Sequence, residues 1–166
     1  MSSSGEDHHT TPSTADTTTP SSTSSEAPHH IRSSKEVKEH LENTVEYLCT
    51  CANDRTIYDV REYFGQDFVA VIVPPQKLTL DEYFSHLRSV RSVKPNVWIQ
   101  SNGMSTVVDA QKGSARVFMD FEISGVYEGV VRPSVAVFKF RYGLDGKWRL
   151  VHYEAADGLS GMGSMP

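Results

Sequence analysis

Cysteine is almost missing from this chain: Cys49 and Cys51 are the only two among 166 residues. They stand two apart on a predicted helix and point in different directions. Neither a disulfide framework nor a zinc spacing is supported, so a reducing, cytoplasmic setting is the default expectation. Long apolar runs are missing too; none approaches the roughly 20 residues of a membrane span. The N-terminal stretch lacks the continuous apolar core of a signal peptide and the Arg-rich amphipathic pattern of a transit peptide. Gly-rich phosphate loops, nucleophile elbows and His/carboxylate metal spacings do not occur. No cofactor and no metal are therefore expected. No internal repeat is visible.

Charge of one sign is also lacking. The chain carries 21 acids and 16 bases. Residues 1–34 hold four of the acids and one Arg, which leaves 17 acids against 15 bases in residues 35–166. A balance that close to neutral argues against nucleic acid as an obligate partner and gives no sign of a membrane surface.

The first 34 residues contain 17 Ser or Thr and no aromatic residue. Such a segment buries too little apolar surface to offset its ordering entropy, and it reads as a disordered tail. Its pairs His8-His9 and His29-His30 are two potential metal ligands each, but paired histidines in a solvated tail have a simpler reading as solvated side chains. Residues 158–166, with Gly158, Gly161 and Gly163, read as a flexible end. The domain is thus expected over 35–157.

Within it, Ser33 and Glu36 form a capping box, and Val37, Leu41, Val45, Leu48 and Ala52 recur at helical spacing over 35–52. Asp54 reads as the N-cap of a second, shorter helix with Ile57, Val60 and Phe64 as its apolar stripe, ended by Gly65. Phe68 to Val73 is a short apolar run expected as a strand. Thr79 and Glu82 make a second capping box, opening a third helix with Leu80, Tyr83, Phe84 and Leu87 on one face; Pro95 forbids its continuation. From Asn96 the period changes to two. Strands are expected at 97–110 and 114–124, with a bulge or bend where Gly125, Gly129 and Pro133 follow. The stretch from Ser134 to Ala156 reads as two long strands turning at Asp145-Gly146, a pair that tolerates the positive φ of a type I′ turn. Helices first and antiparallel strands after them mean an α+β fold. A long sheet curled over three helices leaves a cavity at its open end, a common place for a small-molecule site.

Strict alternation through the last strand places Trp148, Leu150, His152 and Glu154 on one face and Arg149, Val151 and Tyr153 on the other. His152 and Glu154 then sit roughly 7 Å apart along that face, within reach of a shared ligand. An imidazole of near-neutral pKa can take a proton α to a carbonyl, and a carboxylate can fix its tautomer. The competing reading leaves both at the solvated end of an exposed strand. Tyr47 and Tyr58 offer hydroxyls to a substrate oxygen, or are packing residues with satisfied hydroxyls. Asp54 is an acid or base at the cavity mouth, or only a cap. Trp98 and Gln100 share a strand face that would line the cavity, while Val97 and Ile99 on the other face are the better core residues. Arg116, Asp120 and Glu122 alternate with Val117, Met119, Phe121 and Ile123. With Lys139 and Arg141 they make a charged outer face suited to cross-strand ion pairs or to a dimer.

This order of elements, with Thr50-Cys51-Ala52-Asn53-Asp54-Arg55, Gln66-Asp67-Phe68, Phe138-Lys139-Phe140-Arg141 and Asp145-Gly146-Lys147-Trp148-Arg149-Leu150 placed on it, resembles the SnoaL-like branch of the nuclear-transport-factor-2-like (NTF2-like) superfamily. The matching stretch covers most of residues 35–163. The resemblance implies a curved antiparallel sheet, a cone-shaped α+β barrel, wrapped over three N-terminal helices. It also implies a hydrophobic pocket and pairing into homodimers through the outer sheet face. Members include polyketide cyclases, dehydratases and ketosteroid isomerases, as well as non-catalytic transport and assembly modules, so the fold names a cavity and leaves the chemistry open. The expectation is a pocket protein for a small apolar molecule. As a cofactor-independent acid–base enzyme on an apolar carbonyl compound it would use His152 as base, Glu154 as its orienter and Tyr47 or Tyr58 as donors. The alternative is a non-catalytic ligand-binding or dimerisation module.

Overall fold

The computed structural model describes residues 33–72 and 76–157. The expected tail, apart from Ser33 and Ser34, and the expected flexible end at 158–166 lie outside the described residues. Both capping boxes form. Ser33 opens α1 (Ser34–Asp54), its N–H donating to Glu36 Oε2 at 2.7 Å while its side chain accepts from the Glu36 amide. Thr79 opens α2 (Leu80–Val93) in the same way with Glu82. The Thr79 N–H holds the Glu82 carboxyl below its usual range. Along α1 the stripe of Val37, Leu41, Val45 and Leu48 is buried, with Cys51 completing it. Leu41 and Val45 are fully buried, each contributing about 1.5–3 kcal/mol by transfer from water.

The expected second helix is not an α-helix. α1 runs on through Asp54, and Arg55 closes it in the left-handed region at φ 65°. Asp54 is therefore the last residue of one helix, and no side chain caps the turn beyond it. Two short 3₁₀ turns, Ile57–Asp59 and Arg61–Tyr63, then lead into the sheet. Ile57, Val60 and Phe64 are buried, but their spacing of three and four suits tight 3₁₀ turns as well as an α-helix. Among the described residues there are thus two α-helices, not three.

The strands are β1 (Phe64–Ile72), β2 (Gln76–Leu78), β3 (Trp98–Asp109), β4 (Ser114–Ser124), β5 (Arg132–Tyr142) and β6 (Trp148–Asp157). They form one curved sheet in the order β2-β1-β6-β5-β4-β3. Gly65 lies inside β1 and ends no helix. The late meander β3 to β6 is antiparallel as expected, whereas β1 runs parallel to β6. With β2 and β3 at its free ends the sheet is open and does not close into a barrel. Asn53 fastens the C-terminal end of α1 to β3, donating to Ile99 O at 2.7 Å and accepting from Ile99 N–H at 2.9 Å. Farther along, Thr106 donates to Glu42 at 2.7 Å. A helix tied to a terminal strand this way shields an edge that would otherwise pair with another chain.

The turn between β5 and β6 spans Gly143–Lys147, the Gly143 N–H donating to Lys147 O at 2.8 Å. Only Gly146 there has positive φ, at 76°, so Asp145 does not adopt the type I′ geometry. Asp145 instead bonds the Arg149 guanidinium, which holds its carboxyl down at about 2.

Candidate functional site

The concave side of the sheet, α1 and α2 enclose a cavity of about 50 Å³. Leu48, Cys49 and Ala52 reach it from α1, Tyr83 from α2, Ile99 from β3, Met119 and Phe121 from β4, Phe138 from β5, and Leu150 and Tyr153 from β6. Among the described residues, polar side-chain atoms enter this lining only at Cys49, Tyr83 and Tyr153. The Tyr83 and Tyr153 ring centroids are 5.5 Å apart. Phe138 packs on Tyr153 at 5.2 Å. Cys49 Sγ donates to Met119 Sδ at 3.8 Å. Burial pushes the Cys49 thiol up to about 12, with Glu46 adding to the effect. Burial also raises both tyrosine hydroxyls, Tyr83 further through its coupling to Tyr153. All three groups are thus held neutral, as expected where low polarity penalises the charged form.

His152 and Glu154 do not face this cavity. Opposite β5, Leu150 pairs with Phe140 while His152 pairs with Lys139, so Val151 has no partner and forms a bulge. One extra residue reverses the alternation beyond it. Leu150 therefore packs inward beside Phe140, and Tyr153, not His152, is the next residue to point inward. Gly65 on the neighbouring strand makes room: a Cβ there would lie 2.9 Å from Val151 Cγ1. His152 and Glu154 keep to one face, as expected, with Nε2 3.3 Å from Oε2. That face is the convex one, shared with Lys139 and Val69.

The remaining expected site residues are also outside the cavity lining. Tyr47 is exposed and lies against Tyr63 with ring centroids 5.6 Å apart. Tyr58 meets Phe84 edge-on at 5.5 Å and carries the Arg88 guanidinium 4.4 Å from its centroid. Asp54 is exposed at the end of α1. Trp98 and Gln100 point outward and Ile99 between them lines the cavity. Tyr83 and Met119 carry sequence signals only as apolar-face residues. The clue to the bulge is Gly65, a glycine inside an apolar strand. Among the described residues no cluster of three or more His, Cys, Asp or Glu is placed to hold a metal ion. No described helix is long and apolar enough to cross a membrane.

The architecture is the NTF2-like, cystatin-like fold. A provisionally named dehydratase of the NTF2-like family from Streptomyces avermitilis superposes with a TM-score of 0.64 at 16% identity, over 76% of this chain and 99% of that one. An NTF2-like protein of unknown function from Pseudomonas putida KT2440 gives 0.63 at 15% identity, over 74% and 87%. A provisionally named ketosteroid isomerase from Shewanella frigidimarina gives 0.58 at 14%, over 69% and 92%. No family model and no curated protein matches the sequence.

Proposed function

We propose that this chain is a non-catalytic pocket module of the SnoaL-like type. Its concave cavity takes a small, neutral, largely apolar molecule, and its convex face carries self-association. The supporting observation is the polarity of the two faces. Imidazole and carboxylate stand on the convex side, and among the described residues the cavity offers only two tyrosine hydroxyls and a thiol, all held neutral. A pocket of that make-up binds without a proton-accepting group of near-neutral pKa. The names of two similar structures supply an acid–base reading. In this chain such chemistry would have to run through Tyr153, whose raised pKa suits a hydrogen-bond donor and not a base.

The test is a methyl-resolved NMR titration of the full chain with neutral probes of increasing size, from acetone through cyclohexanone to indole. The methyls of Leu48, Met119 and Leu150 should shift together and saturably. Ala52→Leu, which fills the cavity from α1, should abolish the shifts while leaving the fold intact. Absence of shifts for every probe, or shifts that survive Ala52→Leu, would refute the pocket reading.

A further inference from the structure

One end of the fold leaves a group of apolar residues in water. The C-terminal end of α1, residues 91–98 and residues 124–132 meet there. Gly125 brings the loop after β4 against the turn before β3, close enough that a Cβ on it would lie 1.9 Å from Asn96 O. Trp98 stands opposite Ser124, and Ile123 opposite Arg132. Five apolar side chains of this end are exposed, namely Val93, Trp98, Tyr127, Val130 and Val131, from 44% for Val130 to 72% for Val93. None of the five lines the cavity.

Cations stand among them. Lys94 Nζ lies 5.2 Å from the Tyr127 ring centroid, and the Arg132 guanidinium lies 5.1 Å from it. The Arg55 guanidinium donates to Pro95 O at 3.1 Å. That of Arg91 donates to Val97 O and, at 3.0 Å, to Ala52 O. Carbonyl partners hold these two guanidiniums in place without cancelling their charge. Residues 52–55, 91–98 and 124–132 together carry four bases, Arg55, Arg91, Lys94 and Arg132, against two acids, Asp54 and Glu128. The near-neutral balance of the whole domain conceals this local excess.

We propose that this end of the fold docks on an anionic lipid surface. Trp and Tyr rings settle where acyl chains give way to headgroups, being apolar with one polar tip. Val93, Val130 and Val131 would enter the acyl boundary beside them, and buried apolar area adds to electrostatic attraction in such binding. The long stems of Lys94 and Arg132 let their charges reach lipid phosphates and carboxylates while the stems stay on apolar surface. Single-stranded nucleic acid fits less well, because it needs rings free to stack on bases. Here the Tyr127 ring is already engaged by two cations, and three of the five apolar residues are valines. A second copy of the same end would set basic excess against basic excess. The docking does not depend on what the cavity holds.

Co-sedimentation of the full chain with vesicles tests this, using phosphatidylcholine alone and phosphatidylcholine mixed with phosphatidylserine. The mixed vesicles should bind the chain at least about tenfold more tightly, and rising salt should weaken that binding. Lys94→Gln with Arg132→Gln should weaken it about thirtyfold, from about fivefold per cation. Val130→Ser with Val131→Ser should weaken it about tenfold. Unchanged circular dichroism and thermal midpoints establish that the variants fold. Trp98 and Trp148 begin β3 and β6, at opposite ends of the meander, so fluorescence reads the orientation without touching a charge. In Trp148→Phe the remaining Trp98 emission should move to the blue at saturating mixed lipid, and in Trp98→Phe that of Trp148 should stay where it is. Binding to neither vesicle, equal binding to both, folded double variants that bind as the wild type does, or a blue shift of Trp148 in place of Trp98 would overturn the proposal. Binding to a thymidine oligonucleotide with none to vesicles would overturn it as well and give this end to nucleic acid.

Discussion

Replacing Asn53 with Ala removes the side chain that ties α1 to β3. Two hydrogen bonds are lost, at 2.7 and 2.9 Å, both to the backbone of Ile99. A longer one from the Arg91 guanidinium, at 3.4 Å, goes with them. Each good bond is worth about 1 kcal/mol net, and leaving the half-buried Ile99 amide and carbonyl unpaired adds a desolvation cost, for about 3 kcal/mol in all. For a domain of this size, between the small and medium classes, that corresponds to a fall of about 10 °C in Tm. Urea and thermal unfolding followed by circular dichroism read the loss directly. Asn53→Asp keeps the acceptor for the Ile99 N–H but sets an oxygen against the Ile99 carbonyl, so it should recover only part of the stability. Ile99 also lines the cavity, so its methyl resonances should move in Asn53→Ala. A change below about 0.5 kcal/mol, with Ile99 unmoved, would refute the idea that this clamp holds the helix and the cavity wall in place.

Gly125 sits at φ 77°, and a Cβ there would lie 1.9 Å from Asn96 O. Gly125→Ala should therefore cost about 3 kcal/mol or more. Gly129→Ala, at φ 69° in open space, should cost only the backbone penalty of about 1–2 kcal/mol; denaturant midpoints compare the two. Arg149 depresses the Asp145 carboxyl to about 2. Its stabilising contribution is present above the unfolded value near ~3.9 and is lost as the pH falls to about 2. Asp145→Asn should flatten stability against pH in that window. Cys49 carries a raised pKa, about 12, so the unfolded thiol releases its proton first, from pH ~8.5 upward. Stability should decline as the pH rises beyond that point. At pH 8 the thiol should resist a soluble disulfide reagent until urea opens the fold.

Much of the fold is legible because its signals are local. The boxes at Ser33–Glu36 and Thr79–Glu82 fix where both helices begin, and the change of period at Asn96 marks the start of the meander. The two 3₁₀ turns are not legible, since Ile57, Val60 and Phe64 satisfy either helix type. The parallel pairing of β1 with β6 depends on contacts between distant parts of the chain. The candidate site fails at a single residue. Alternation correctly sets His152 and Tyr153 on opposite faces, but which of them faces the core depends on Val151 having no partner. That depends in turn on Gly65, a residue on another strand, so reading β6 by itself assigns the faces in reverse.

Ring-resolved nuclear Overhauser effects at the end of β6 test the face assignment most directly. Tyr153 ring protons should show effects to Phe138 and Tyr83, and His152 ring protons to the side chains of Lys139 and Val69. An effect from the His152 ring to the Met119 methyl would put the imidazole in the cavity and contradict the assignment of a non-catalytic pocket.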